Sequence, residues 1–331
     1  MTESASSKVF AMPSQISSRT VIAHDVDEHA HNLSNWEQSY DQLAAGRFDG
    51  VLEEWKTEGL QIFRERNSHA VRQSCCVWPD AYWFGIEQPV AGSIRMNGRQ
   101  VRADMIMTRP GNREFELVTP DRHEILGIVI QRNILLEEAD RHGCTIAWSA
   151  LANAELLHVD SDGLQACRRH IAALLSPVGQ CDDITPGSEQ QRSYSQEQVV
   201  AALVALLDSS EVESHACNSL SRRHHIVTEA RQYAKQNQAE SLTVPMLCAH
   251  LHVSRRTLQY CFEDVLGMSP MHYLRSWRLN GVRRQLMQSD RGLQRIGDVA
   301  AAWGFTNFSQ FSSDYKKLFG SSPSAAQRLS V

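Results

Sequence analysis

Two stretches in the last third of the chain, VPMLCAHLHVSRRTLQYCF (residues 244–262) and IGDVAAAWGFTNFSQFSSDY (residues 296–315), follow one plan. Each opens with a short apolar segment carrying a small residue, Ala249 or Ala301. Three positions later comes a turn residue, His252 or Gly304, and then a polar-faced segment anchored by Leu258 or Phe311. Two helices meeting at a tight turn need this layout: the small residue lets them approach, and the turn residue must tolerate unusual dihedrals, which glycine does best. Between the copies, Ser269-Pro270 supplies an N-cap and a proline suited to a first helical turn. Met271, Tyr273, Leu274, Trp277, Val282 and Leu286 then mark one stripe of a helix that reaches Gln288. About 19 residues at 1.5 Å each span roughly 28 Å, of the order of the ~34 Å between successive major grooves on one face of B-DNA. A duplicated helix-turn-helix on a rigid spacer of that length suits a chain that reads two groove segments without a palindrome.

A length of 331 residues implies two domains, and 42% hydrophobic residues suffice for ordinary cores. No apolar run approaches the roughly 18 residues of a membrane span. MTESASSKVFAMPSQ (1–15) lacks the basic region and apolar run of a signal peptide, so a cytoplasmic protein is expected. The net charge of −5 hides an asymmetry: residues 222–331 carry 15 Lys and Arg against 7 Asp and Glu, the remainder 18 against 31. A basic end on an acidic body is expected where one end meets phosphate. The eight cysteines form no CxxC pair, so zinc is not indicated; in a reducing cytosol they serve as small apolar residues.

The pattern divides the chain into a polar arm (1–33), an effector-binding and dimerisation domain (34–214) and a DNA-binding domain (222–331), with His215–Ser221 as linker. Asn35–Leu43 reads as a short helix. VLEEW, LQIFRER, AVRQSCCVW, YWFGIE, SIRMNG, ADMIMT, EFELVT and EILGIVI, between Gly50 and Ile130, read as about eight strands. Ile134–Ala139, Asp162–Leu175 and Gln196–Leu207 read as helices, separated by a loop at Pro177–Ser195. The fold class expected is α+β: a β-barrel or jelly-roll-like, cupin-like sensing domain with trailing helices, then an all-α domain with two helix-turn-helix motifs joined by a long helix.

These residues resemble the AraC/XylS transcriptional regulators. The resemblance rests on Ile296, Val299-Ala300, Gly304-Phe305, Phe311, Tyr315-Lys316, Phe319-Gly320 and Ser322-Pro323, and covers about 105 residues. WEQSYDQLAAGRFDG (36–50), RQSCCVWPDAYWFGI (72–86), TRPGNREFELVTP (108–120) and EILGIVI (124–130) further resemble the ethanolamine-operon regulators within that family. The resemblance implies a homodimeric activator that binds double-stranded DNA, contacts RNA polymerase and answers to a small-molecule effector, with ethanolamine and adenosylcobalamin as the effectors implied and no cofactor certain. An AraC-type regulator answering to a different small amine or metabolite is the alternative.

In the first motif, Ser254 reads as an N-cap, Leu258 and Phe262 face inward, and Arg255, Arg256, Gln259 and Tyr260 remain outside. The resemblance places Arg256, Gln259 and Tyr260 at groove-reading positions, where Arg suits guanine and Gln adenine; Arg255 suits phosphate. In the second motif, Thr306 or Asn307 starts the helix, and Phe308, Ser309, Gln310, Ser312 and Ser313 are the outward candidates, none positively charged. Several members of the family that the chain resembles carry a basic residue where Ser313 stands. Arg275, Arg278, Arg283 and Arg284 flank the spacer's stripe and divide between phosphate and carboxylate partners; Arg278 is carried as a DNA contact. Trp78, Tyr82 and Trp83 are weak candidates for lining an effector pocket. His29-Ala30-His31 has the HxH form of a cupin metal motif, but no Glu follows at the required spacing, and His69 and His123 stand isolated, so no metal site is expected. A metal-dependent cupin enzyme with an appended DNA-binding module is the reading from another class. It lacks its ligand set, and no catalytic function is expected.

Overall fold

The computed structural model describes residues 17–88, 92–176, 188–213, 218–240, 242–288 and 294–329, with the backbone alone at 188–193 and 218–221. Its first two-thirds are two open antiparallel sheets. The larger has the order β1 (Ser17–Ala23), β3 (Gly50–Thr57), β4 (Leu60–Asn67), β11 (His123–Gln131), β6 (Ala81–Glu87), β9 (Met105–Pro110), β12 (Leu156–His158), β13 (Glu211–Val212). The smaller has the order β2 (Glu37–Gln42), β5 (Val71–Cys76), β10 (Phe115–Thr119), β7 (Arg95–Met96), β8 (Arg99–Gln100). Both keep edge strands among the described residues, so the sheet-rich domain expected, barrel or jelly-roll-like, is present as two open sheets.

Alternation along the strands decides the layers. Phe63, Trp83, Met107, Ile125 and Val129 of the larger sheet meet Tyr40, Val71, Cys75, Phe115 and Leu117 of the smaller in one core. Their neighbours Ile62, Tyr82, Phe84, Leu126, Ile128 and Ile130 point the other way, under α2 (Arg132–His142), α4 (Ser161–Leu174) and α5 (Ser188–Asp208). Trp83 and Trp78 therefore share the intersheet core, whereas Tyr82 lies on the opposite face beneath the helices. The three aromatic pocket candidates do not converge, because residues 82 and 83 of one strand face opposite ways.

Four sequence readings are corrected here. Residues 188–195 of the loop expected at Pro177–Ser195 open helix α5, and residues 218–221 of the linker expected at His215–Ser221 open the helix Asn218–Gln236; the rest of both segments lies outside the described residues. Residues 17–33 are not an arm throughout: Ser17–Ala23 pairs with β3 along its whole length, and Val26–Ala30 form a short helix, α1, capped by Asp25. Residues 1–16 lie outside the description. The segment read as a helix at Asn35–Leu43 is strand β2, paired with β5 from Glu37↔Cys76 to Gln42↔Val71. Trp36, Tyr40 and Leu43 imitate helical spacing, but pairing with a neighbouring strand overrides it.

The remainder is helical and built on two cores. α6 (Asn218–Gln236), α7 (Val244–His250) and α8 (Arg255–Leu266) enclose Val227, Ala230, Leu247, Leu258 and Phe262 with Tyr273 and Leu274 of α9 (Pro270–Gln288). The far half of α9 contributes Val282 and Leu286 to the second core, with Val299 of α10 (Ile296–Ala302), Phe311 and Tyr315 of α11 (Phe308–Phe319), and Ala326 of α12 (Pro323–Leu329).

This helical unit is seated on the outer face of the smaller sheet. Asn280 of α9 pairs with the edge strand β2 as a backbone would: its amide accepts from Gln42 N–H at 2.9 Å and donates to the Gln42 carbonyl at 2.9 Å. Arg283 meets Asp25 at 2.5 Å, both 8% exposed, and Arg284 reaches Asp41 at 2.9 Å and Asp27 at 3.4 Å. Arg231 of α6 reaches Glu116 at 2.7 Å, and Arg72 bridges Glu116 (2.6 Å) and Asp41 (3.1 Å). Burial pushes the Asp27 carboxyl up to about 6 even though Arg284 pulls it down. Arg283 and Arg284, left open between phosphate and carboxylate, are thus held by carboxylates of the N-terminal domain.

A buried polar cluster sits between the sheets. Glu65 accepts from the Tyr40 hydroxyl at 2.9 Å and lies 3.1 Å from His29 Nε2. Burial pushes its carboxyl up, but hydrogen bonds and charge from His29 and Tyr40 hold it below its ordinary value. His123, isolated in sequence, lies in the same cluster, and burial pulls its imidazole down to about 4 despite the charge of Glu65. A buried histidine kept neutral makes folding costlier as pH falls, because between 6.5 and 4 the unfolded chain binds a proton that the fold refuses. Glu87, pushed up to about 7 by burial, runs the other way, so a difference between two proteins is the clean measure. Going from pH 7 to pH 4, the wild type is expected to lose on the order of 3 kcal/mol more stability than His123→Leu, measured by urea unfolding; parallel pH curves would contradict the buried neutral imidazole.

Candidate nucleic-acid interface

Local signals build each motif. Thr243 caps α7, its hydroxyl accepting from Met246 N–H at 3.5 Å, and Ser254 caps α8, accepting from Thr257 N–H at 3.0 Å. Asn307 caps α11 through Gln310 N–H at 3.0 Å. Both turns use the left-handed region, at His252 (φ 51°) and Gly304 (φ 78°). The small residue of close approach lies one position earlier than the sequence pattern suggests. Ala249 and Ala301 are exposed, whereas Ala300 is fully buried and Cys248 packs partly into the first core. The buried face of α10 runs through Ile296, Val299, Ala300 and Trp303, the i, i+3, i+4, i+7 spacing of a helix, and residue 301 falls outside it.

On α8, Leu258 and Phe262 are buried; Arg255, Arg256 and Tyr260 are exposed, and Gln259 is half-buried. Arg256 and Tyr260 are arranged as a pair: the guanidinium donates to the Tyr260 hydroxyl at 3.1 Å and sits 5.4 Å from its ring centroid. Gln259 donates to Glu263 at 2.5 Å. On α11, Phe311 and Tyr315 are buried, while Phe308, Ser309, Gln310, Ser312 and Ser313 are exposed, Phe308 at 48%. Between the two motifs runs a cleft of ≈ 450 Å³, lined by Arg255 on one side and Thr306, Asn307 and Gln310 on the other. Arg275 at its floor is paired with Asp314, which also accepts from Gln310 at 2.9 Å. Arg278 donates to the carbonyls of Glu240 and Leu242 at 3.0 and 3.2 Å, clamping the segment ahead of α7. All four arginines of the spacer helix are therefore engaged within the protein.

Residues 247–328 match the family model described as a helix-turn-helix domain. These residues form an AraC-type helix-turn-helix domain. The relatives are regulators. The chain is 34% identical over 99 residues to the probable thc operon regulatory protein of Rhodococcus erythropolis, covering 30% of each chain. It is 24% identical over 181 residues to the XylDLEGF operon transcriptional activator 3 of Pseudomonas putida, covering 52% of this chain and 53% of that one. The chain thus spans about a third to a half of the length of these curated relatives. An AraC-type transcriptional regulator from Chromobacterium violaceum is similar over 34% of this chain and 97% of its own, at 30% identity and a TM-score of 0.31. Among the described residues no helix is long and apolar enough to cross a membrane, and no group of three or more His, Cys, Asp or Glu could hold a metal ion.

Sequence reasoning missed the Glu65 cluster and the seats of Arg283 and Arg284. Glu65 shares strand parity with the inward Phe63 on β4, the only local hint that a carboxylate points into the core. Nothing local announces the arginine seats, whose partners lie more than 240 residues away.

A Cβ on Gly304 would lie 2.6 Å from the Glu240 carbonyl oxygen. Gly304→Val is expected to lower stability by roughly 1–3 kcal/mol through backbone strain, with that contact added. His252→Gly, relieving the same conformation in the first turn, is expected to raise it by up to about 1 kcal/mol. Urea unfolding of both variants checks this, and equal effects of one sign would show that the two turns are not equivalent in the way described.

Proposed function

We propose that the chain is a ligand-responsive transcription regulator that binds double-stranded DNA through α8 and α11. The observation that supports it most is the pairing of Arg256 with Tyr260 on the open face of α8, beside the exposed Arg255 and the half-buried Gln259. A preset guanidinium loses little freedom on meeting a guanine edge, which offers O6 and N7 as a fork of acceptors. Over residues 308–313 α11 presents hydroxyl, amide and phenyl groups and no cation, so this stretch contributes backbone contacts and thymine-methyl packing through Phe308. In this reading Arg255, Arg256, Gln259, Tyr260, Asn307, Phe308, Ser309, Gln310 and Ser313 form the DNA surface. Arg278 supports it by holding the residues ahead of α7.

The N-terminal domain is the sensor in this reading. The ring nitrogens of His123 and both amide atoms of Asn67, directly opposite it, are buried with no partner in the fold, and His123 lies within reach of the charge of Glu65. Unpaired buried polar groups favour a ligand that supplies the missing hydrogen bonds. Ethanolamine and adenosylcobalamin are the first compounds to try, with another small amine or metabolite as the second reading. A homodimer that activates transcription through RNA polymerase completes the proposal.

Arg256→Ala is expected to cost about 1–3 kcal/mol of binding at one base position and to relax specificity there. Selection of preferred duplexes from a random pool, followed by titration of single-base variants, measures it; a uniform loss across all sequences would contradict base readout. An effector at about 100 times its dissociation constant should add roughly 2.7 kcal/mol to stability. Thermal unfolding with ethanolamine or adenosylcobalamin therefore tests the effector reading. A shift with neither removes both compounds and leaves DNA binding to be judged on its own assay.

A further inference from the structure

The row of residues that crosses the outer face of the smaller sheet is Asp41, Arg72, Val118 and Arg95, each directly opposite the next. Directly opposed residues share a face. The first three are used in seating the helical unit: Asp41 with Arg284, Arg72 with Glu116, and Val118 against the first helical core. Arg95 continues the row past the edge of that core. β7 and β8 are joined by an Asn97-Gly98 turn with both residues at positive φ (48° and 77°), the pairing that a two-residue hairpin favours. The turn is pressed on the helical unit so closely that a Cβ on Gly98 would lie 2.8 Å from Val265 of α8 and 3.4 Å from His224 of α6. Arg95 therefore comes from the sensing domain but stands beside α8.

There it lines a cleft of ≈ 1030 Å³ with Arg222 and Arg223 of α6 and with Thr257, Tyr260 and Asp264 of α8. Asp264 is paired with Arg223 at 2.8 Å, and Glu263, also at the cleft, accepts from Gln259. Arg95 and Arg222 form no ion pair among the described residues; with Arg223 they set three guanidiniums against the carboxylates of Glu263 and Asp264, which leaves the cleft one net positive charge. The cleft also has a definite direction. At 100° per residue, Arg255 and Gln259 turn toward one flank of α8, where the cleft shared with the second motif lies, whereas Thr257 and Asp264 turn toward the opposite flank. Tyr260, the partner of Arg256, lies on the border of the outward face and this second cleft.

We propose that Arg95 and Arg222 bind the phosphate backbone of the duplex next to the groove that α8 occupies, on the side away from the second motif. The sensing domain then touches DNA directly whenever it is seated on the helical unit, and the protected site is longer than two helix-turn-helix motifs require. The proposal rests on the DNA-binding reading above. Two planar guanidiniums in an open cleft, contiguous with a base-reading pair, suit the non-esterified oxygens of a backbone that carries charge along its whole length.

The test is hydroxyl-radical footprinting of the full chain on a duplex selected from a random pool, with at least two helical turns of extra DNA on each side. The wild type is expected to protect an additional segment of roughly half a helical turn beyond the α8 end of the site. The Arg95→Ala/Arg222→Ala variant is expected to lose that segment, keep the protection over both motifs, and bind with a log–log salt dependence shallower by about two. Arg169→Ala, which removes an exposed arginine of α4 elsewhere on the molecule, serves as the charge control and should change neither the footprint nor the slope by more than a fraction. An unchanged flank and slope in the double variant, with the central footprint intact, would overturn the proposal alone. No footprint with any wild-type complex would overturn the DNA-binding reading and this proposal with it.

Discussion

The arrangement of this molecule depends on the contact between two charged surfaces that turn away from water. Asp25, Asp27 and Asp41 of the N-terminal domain receive Arg283 and Arg284 of the spacer helix, and Glu116 is shared by Arg72 and Arg231. Buried ion pairs of this kind return little net stability, since desolvation offsets most of the attraction. Their effect is on geometry. A helical unit that slid by one turn along β2 would leave several buried charges unmatched, each at a cost of several kcal/mol. Asn280, bonded to both backbone groups of Gln42, fixes the register at the centre of the same contact. The spacer helix thus does two jobs at once: one face carries the cores of both motifs, and another is bound to the N-terminal domain.

That contact also explains how a ligand between the sheets would reach DNA. Tyr40 and Asp41 are neighbours on one strand, with opposite outlooks. Tyr40 points inward and donates to Glu65; Asp41 points outward and receives Arg284. A compound that draws on Tyr40 or Glu65 acts on the strand to which α9 is bound. It changes the balance of arrangements only to the extent that it binds one better than the other. The distance from effector chemistry to the spacer helix is then the thickness of one strand, and no longer chain of contacts is required.

Much of the helical domain was legible in the sequence because its determinants are local. Caps at Ser254 and Asn307, the turn at Gly304 and the inward pairs Leu258–Phe262 and Phe311–Tyr315 act within a few residues of themselves. The strands between Gly50 and Ile130 were legible from alternation. What sequence could not reach was set by remote partners. Residues 36–43 space their aromatic and aliphatic residues as a helix does, and only the ladder to β5 makes them a strand. Ser17–Ala23 is recruited by β3 in the same way. The charge asymmetry was read as an affinity for phosphate alone, yet part of it is the two domains' affinity for each other: Arg231, Arg283 and Arg284 belong to the basic half and spend their charge on the acidic one. The one-residue error at Ala249 and Ala301 is of another kind, since a single helical position turns a side chain by about 100°.

The most direct test of the account is a double-mutant cycle on Arg284 and Asp41, with the full chain unfolded in urea as Arg284→Ala, Asp41→Ala and the pair together. If the two domains are joined as described, each single change weakens one partly buried network, leaving Asp41 with Arg72 alone or Arg284 with Asp27 alone, and the losses do not add in the double change. The account then requires a coupling energy of at least about 1.5 kcal/mol and one shared transition for both domains. Additive losses, or a helical domain that unfolds separately and at the same urea concentration in all four proteins, would contradict the docked arrangement on which the rest is built.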